Sequence, residues 1–216
     1  MQRDKRAAGY NPDTRTQLLD TAERLFAAHG VEAVSVRDIS REARANLGAI
    51  NYHFGTLQAL VVEVFQRRLV PVNRERLNTL DALEQKMGRH PLRLEEILTA
   101  FIRPALLQAA DPAQGGTAFA RLMGRCLGEP HPGLEVEIRR HLDPIRRRFD
   151  LALGRTLPSL SRIEIMCRMH LVIGALHHEL LVMDRRPPPH MRLKRKLADI
   201  EQRLVSFAAA GLRAGT

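Results

Sequence analysis

The sequence predicts an all-α fold: a small three-helix unit at the N-terminus followed by a larger helical one. Two observations point there. Apolar residues recur at i, i+3, i+4 and i+7 almost throughout, and no sustained period-2 run or Asn-Gly or Asp-Gly hairpin turn suggests strands. Clusters of Pro, Gly, Asp and Ser then punctuate the chain at helix-length intervals.

The first helix follows N-P-D-T, where Asn11 or Asp13 can cap and Pro12 suits the first turn. Leu18, Leu19, Ala22, Leu25 and Phe26 form its apolar stripe, and Gly30 ends it where a left-handed residue is needed. A second helix starts at Ser35. S-V-R-D resembles a capping box, with Asp38 in place of the preferred glutamate, and Val36, Ile39 and Ala43 face inward. It lasts about two turns, because Arg44-Ala45-Asn46 breaks the pattern. Asn46 is expected to cap a third short helix, Leu47 to Phe54, anchored by Leu47, Ile50 and Phe54.

Two short helices across a tight turn, behind a longer one, form a helix-turn-helix plan. Gly48, Ala49, Asn51, Tyr52 and His53 can then face outward. The small residues permit close approach to a groove, and Tyr52 and His53 can donate to phosphate oxygens. A fourth helix begins near Thr56 and runs through Leu60, Val64 and Leu69; Pro71 is expected to kink or end it. The pattern resumes to Leu83 and stops at Gly88 to Pro91. Later helices are expected at about 92–110, 115–128, 134–156, 161–184 and 190–211. Between them lie D-P-A-Q-G-G, E-P-H-P-G, L-P-S-L-S and R-R-P-P-P.

Composition narrows the function classes. The 216 residues are 44% hydrophobic with a net charge of +10, and the pI of about 10.8 favours polyanionic partners. Residues 1–56 hold eight Lys/Arg against seven Asp/Glu, so DNA contact there depends on the placement of Arg37, Arg41 and Arg44. The N-terminus lacks an apolar signal region, and the apolar stretch Leu171 to Met183, interrupted by His177, His178 and Glu179, is expected to be too short and polar to span a bilayer. A cytoplasmic protein is expected. Cys126 and Cys167 have no metal-site spacing and are expected to be buried thiols.

The stretch R-T-Q-L-L-D-T-A-E-R-L-F-A-A-H-G…S-V-R-D-I-S…L-G-A-I-N-Y-H-F-G-T-L-Q-A-L resembles the DNA-binding domain of the TetR family of transcriptional regulators, over residues 15–60. The resemblance implies a homodimer, most often a repressor, acting on double-stranded DNA at a near-palindromic operator. It implies a C-terminal domain that dimerises and holds a small effector. Carried over, Arg37 matches a helix-two position that often reaches DNA. Leu47, Gly48, Ala49 and Asn51 match groove-facing positions, and Tyr52 and His53 match phosphate contacts. Two positions depart from the family pattern. Arg44 stands where a glycine normally takes positive φ, and Leu57 replaces the usual lysine after the H-F pair. The domains implied are 11–57 for DNA binding and 58–214 for effector binding and dimerisation. More weakly, A-R-L-M-G-R-C-L-G-E-P, R-H-L-D-P-I-R-R-R-F, C-R-M-H-L-V-I-G-A-L and F-A-A-A-G-L-R-A are similar to members that sense fatty acids or acyl-CoA thioesters.

Arg103, Arg121, Arg125 and Arg168 sit in otherwise apolar helices, where an unpaired charge is unfavourable. They are the candidates for pairing with an anionic ligand, the remainder pairing with acids or reaching water. The run R-R-H-L-D-P-I-R-R-R-F (139–149) could bind an anionic head group, though a solvated helix face is the favoured reading. His170 and His177 are about 10 Å apart along one helix, too far to share a metal ion. The helices at 161–184 and 190–211 are the expected dimer face. No nucleophile elbow or phosphate loop suggests an enzyme, and no cofactor is expected. The rival reading is a lipid- or acyl-CoA-binding protein at the membrane surface without specific DNA binding.

Overall fold

The structure, a computed structural model, describes residues 12–111, 115–128, 132–183 and 196–215. Those residues form nine α-helices and no strand. The chain divides into two compact units, Met1–Phe65 and Gln66–Thr216.

The first unit contains α1 (Pro12–His29), α2 (Val36–Glu42), α3 (Gly48–Phe54) and the opening turns of α4 (Leu57–Met87). Pro12 is the first residue of α1, and Gly30 follows its end at φ 87°. The proposed caps Asn11 and Asp13 lie outside the described side chains. Leu18, Leu19, Ala22 and Phe26 are buried, with Ile39 of α2, Ile50 of α3 and Leu60, Val61 and Val64 of α4. Burying each of the larger aliphatic side chains stabilises the unit by about 1.5–3 kcal/mol before chain entropy is counted. Arg24 of α1 pairs with Glu42 of α2 at 3.0 Å. Arg15 pairs with Glu63, and its guanidinium carbon lies 5.3 Å from the centre of the Phe54 ring.

The second unit holds the rest of α4 with α5 (Leu94–Ala110), α6 (Thr117–Gly128), α7 (Pro132–Thr156), α8 (Arg162–Val182) and α9 (Leu197–Arg213). α5 is central: it packs along α9 and also meets α6, α7 and α8. Its Ile97, Leu98, Ile102 and Leu106 are buried, and Phe101 meets Phe149 of α7 edge-on at 5.2 Å. α8 packs against α6, α7 and α9.

Several expectations change. Pro71 does not end α4, which runs unbroken to Met87. The proline lacks the N–H that would bond four residues back, and one turn away Gln108 Nε2 of α5 donates to the Arg68 carbonyl at 2.8 Å. α8 has 21 residues and an 18-residue window of mean hydropathy 1.3, so by length and composition it could cross a membrane. The stretch Leu171–Met183 is only the C-terminal part of that helix, and helices packed inside globular proteins pass the same test. Cys167 is exposed rather than buried, because it falls on the face of α8 opposite Arg168 and Met169; the Cys126 side chain lies outside the described residues. The start expected for the last helix, 190–195, is likewise outside them, and α9 is described from Leu197.

Candidate nucleic-acid interface and ligand cavity

The α2–turn–α3 segment is built by local hydrogen bonds. Ser35 Oγ accepts from Asp38 N at 3.2 Å, and Asp38 Oδ2 accepts from Ser35 N at 3.1 Å, completing the box. The Ser35 side chain and backbone hold the Asp38 carboxyl below its ordinary pKa. Arg41 Nη2 also donates to Asp38 Oδ1 at 2.7 Å. α2 ends in a Schellman turn: Arg44 N donates to Arg41 O at 3.2 Å and Ala45 N to Ser40 O at 2.9 Å. Arg44 is the left-handed residue of that turn, at φ 50°. The turn geometry survives without glycine, at a strain of about 1 kcal/mol or somewhat more.

The N-cap of α3 is Leu47, which makes no side-chain cap bond, rather than Asn46; from one residue further back, Asn46 Oδ1 accepts from Gly48 N at 3.0 Å. The helix begins one residue later than expected, with Leu47 as its flanking residue. Leu47 is 51% exposed, which overturns its role as an anchor. Helical periodicity does not extend to a residue ahead of the first turn. Ile50 carries the packing, fully buried, with Phe54 half-buried beside Arg15.

The outward set is thus coherent. Leu47, Gly48, Asn51 and Tyr52 are exposed, and Ala49 and His53 are half-buried. Tyr52 is 65% exposed. Its ring meets that of His53 edge-on at 5.0 Å. Arg37, Arg41 and Arg44 are exposed on α2 and the turn. Leu57, in the position of the missing lysine, is half-buried.

The second unit contains a cavity of about 150 Å³ lined from α4, α5, α6, α7 and α8. Its walls are mostly apolar; Arg76, Gln108 and His177 are polar exceptions. Arg76 is buried, donates from Nε to Phe101 O at 2.8 Å and from Nη1 to Asn73 Oδ1 at 3.1 Å, and lies 4.1 Å over the Phe101 ring. Burial lowers its pKa to about 10. His177 Nε2 is sealed from solvent with no hydrogen-bond partner among the described residues. Burial, then the adjacent His178, holds its imidazole below the ordinary pKa. A Cβ on Gly124 of α6 would stand 2.7 Å from this nitrogen, so glycine there permits the close approach.

Of the four candidate ligand arginines, the three with described side chains, Arg103, Arg121 and Arg168, do not line this cavity. Arg103 is exposed and 3.7 Å from Glu201. Arg121 is exposed, and the Arg125 side chain lies outside the described residues. Arg168 is buried but fully engaged: Nε donates to Glu164 at 2.6 Å, and Nη1 to the carbonyls of Gly211, Leu212 and Ala214 at 2.7–3.1 Å. It caps the C-terminus of α9, where a cation is favoured. Sequence reasoning missed Arg76. It sits in the α4 stripe Leu69, Val72, Arg76, Leu80, and that spacing marks an inward position but not an unpaired charge. In the run 139–149, Arg146 pairs with Asp150 and Arg148 with Asp81 and Glu84, and Arg139, Arg140 and Arg147 are exposed.

Residues 18–64 match the family described as bacterial regulatory proteins, tetR family. Residues 99–211, more than half of the chain, match the tetracyclin repressor-like C-terminal domain. The HTH-type transcriptional repressor KstR2 of Rhodococcus jostii (strain RHA1) is 40% identical over 52 residues, covering 24% of this chain and 26% of that repressor. The chain thus spans about a quarter of that relative's length. Among solved structures, the fatty acid degradation regulator FadR from Bacillus halodurans superposes with a TM-score of 0.61 at 18% identity, over 96% of this chain and 100% of that one. FadR from Bacillus subtilis, in complex with stearoyl-CoA, gives 0.59 at 16% identity over 91% and 98%. These likenesses establish a shared fold.

Proposed function

Because the chain belongs to the TetR family of bacterial regulatory proteins, we propose that it is a cytoplasmic, dimeric, sequence-specific DNA-binding repressor released by a small ligand. The observation that carries this reading is the exposed face of α3. Leu47, Gly48, Ala49 and Asn51 would meet base edges. Tyr52 and His53 would hold phosphates, and Arg37 would approach from α2.

Dimerisation supplies the second recognition helix. α8 leaves Ile163, Leu171 and Ile173 exposed at 70%, 74% and 39%, and α9 leaves Phe207 at 67%. A second copy that covers these side chains would form a two-helix-per-subunit interface. The operator would then be near-palindromic, with half-sites about one helical turn apart. The domains would divide as residues 11–57 for DNA and 58–214 for effector and dimer.

A fatty acid or its CoA thioester is the ligand class suggested by the FadR regulator in complex with stearoyl-CoA, and the apolar cavity suits the free acid of that pair. α4 contributes turns to the first unit and Leu69, Val72 and Arg76 to the cavity wall. A ligand seated there bears on the helix that the DNA-binding unit shares, and would favour a dimer whose recognition helices no longer fit the operator.

The test is selection of bound duplexes from a random pool at fixed moderate salt, with wild type and a Tyr52→Ala/His53→Ala variant side by side. A near-palindrome enriched by wild type alone is the expected result. No enrichment by either would end the DNA-binding reading.

A further inference from the structure

We infer that the cavity takes the free carboxylate form of a compact apolar acid, and that Arg76 holds its head group. This deepens the effector reading of the second unit and rests on it.

The argument begins with a charge that has no counter-charge. Arg76 is 7% exposed, and its hydrogen-bond partners are a carbonyl and an amide oxygen. No carboxylate pairs with it among the described residues, and neither hydrogen of Nη2 has a partner there. Arg168, comparably buried, has Glu164 and three helix-end carbonyls. Proton loss does not relieve Arg76, since a pKa of about 10 leaves it cationic at neutral pH. A buried cation without an anion is unfavourable, and an entering carboxylate would satisfy it with charge-assisted hydrogen bonds. The Phe101 ring beneath the guanidinium fixes its plane and leaves it available to such a planar partner.

His177 is also in the lining, but its Nε2, unpartnered among the described residues, is closed off against Gly124 of α6, so Arg76 is the polar group that the cavity offers an anion. Around these two the lining is apolar, with Leu69, Phe101, Met123 and Leu180 among it. The volume of about 150 Å³ matches a benzene-sized body, the occupant known for apolar cavities of this size. A thioester has no charge at its acyl end, so a CoA ester would leave Arg76 uncompensated. A six- to eight-carbon aliphatic acid or a small aryl acid meets both conditions.

The experiment is calorimetric titration of the full-length protein with hexanoate, phenylacetate, hexanol and hexanoyl-CoA, using wild type, Arg76→Met and Arg76→Lys. We expect one acid per chain. Hexanol and hexanoyl-CoA should bind wild type about 10- to 100-fold more weakly than hexanoate, the range for a hydrogen bond to a charged group. Arg76→Met should lose the acids by a similar factor and keep hexanol, with Arg76→Lys in between. Equal affinity for hexanol and hexanoate, tighter binding of hexanoyl-CoA, or no acid binding by wild type would overturn the inference. Each of those comparisons uses wild type alone, so a variant that does not fold leaves the test decisive. Duplex selection on the same preparation separates the two readings. Acid binding without DNA selection removes the regulator and keeps the site; DNA selection without acid binding does the reverse.

Discussion

At Arg44 a glycine's backbone conformation is imposed on a residue with a Cβ, and the Schellman bonds to Ser40 and Arg41 hold it there. Arg44→Gly should hold or raise the stability of the first unit, by up to about 1 kcal/mol, because relief of left-handed strain is partly offset by the looser unfolded chain. A urea titration would show it; a lower midpoint would mean that the arginine stem contributes packing that outweighs the strain. His177 makes a pH-dependent contribution whose sign follows from its depressed pKa. Above its ordinary value of 6.5 the imidazole is neutral in both states. As the pH falls below that, the unfolded chain takes up a proton that the folded ring, buried and next to His178, resists. Stability therefore falls with pH until the folded imidazole also protonates. Melting temperatures from pH 7.5 to 5.5 should drop less for His177→Gln than for wild type. The positive φ at Arg44 was legible, because the surrounding motif marks that turn. Arg76 was not, because an arginine within an apolar stripe more often reaches water or an acid, and only the three-dimensional packing shows that this one does neither.

For whole helices, the sequence was more informative about ends than about interruptions. Gly30, the Ser35–Asp38 box and the L-P-S-L-S breaker each act through a few neighbouring bonds, so local composition reveals them. Pro71 in α4 is different: whether a proline breaks a helix depends on what packs beside it, and here Gln108 of α5 reaches the backbone one turn back. The exposure of Leu47 was not legible either, because a seven-residue α3 offers too few turns for spacing alone to locate its start. Pro71→Ala restores the missing N–H and should raise thermal stability by about 1–3 kcal/mol. If the proline localises the ligand-driven bend, the same variant should also show a smaller ligand effect on operator affinity. A coupling unchanged from wild type would place the bend elsewhere.

At the scale of the molecule, the proposed dimer puts one face of α8 at its seam. Leu171 is 74% exposed in the isolated subunit, an arrangement that calls for cover. Leu171→Glu should give monomers in sedimentation equilibrium and weaken operator binding at least about 100-fold, since one recognition helix then works without its twin. Dimers that survive the substitution would move the interface to another face. The unbroken α4 has a practical consequence for anyone who wants to study the parts separately. Leu60, Val61, Val64 and Phe65 lie beyond residue 57 yet are buried and belong to the first unit. A fragment cut after residue 57 would leave behind much of the wall against which its own helices close. It would emerge as a sticky, incompletely folded peptide. A usable excised DNA reader must carry a stub of α4 past Phe65, and the remainder, deprived of that stub, would begin partway along a helix with no natural cap.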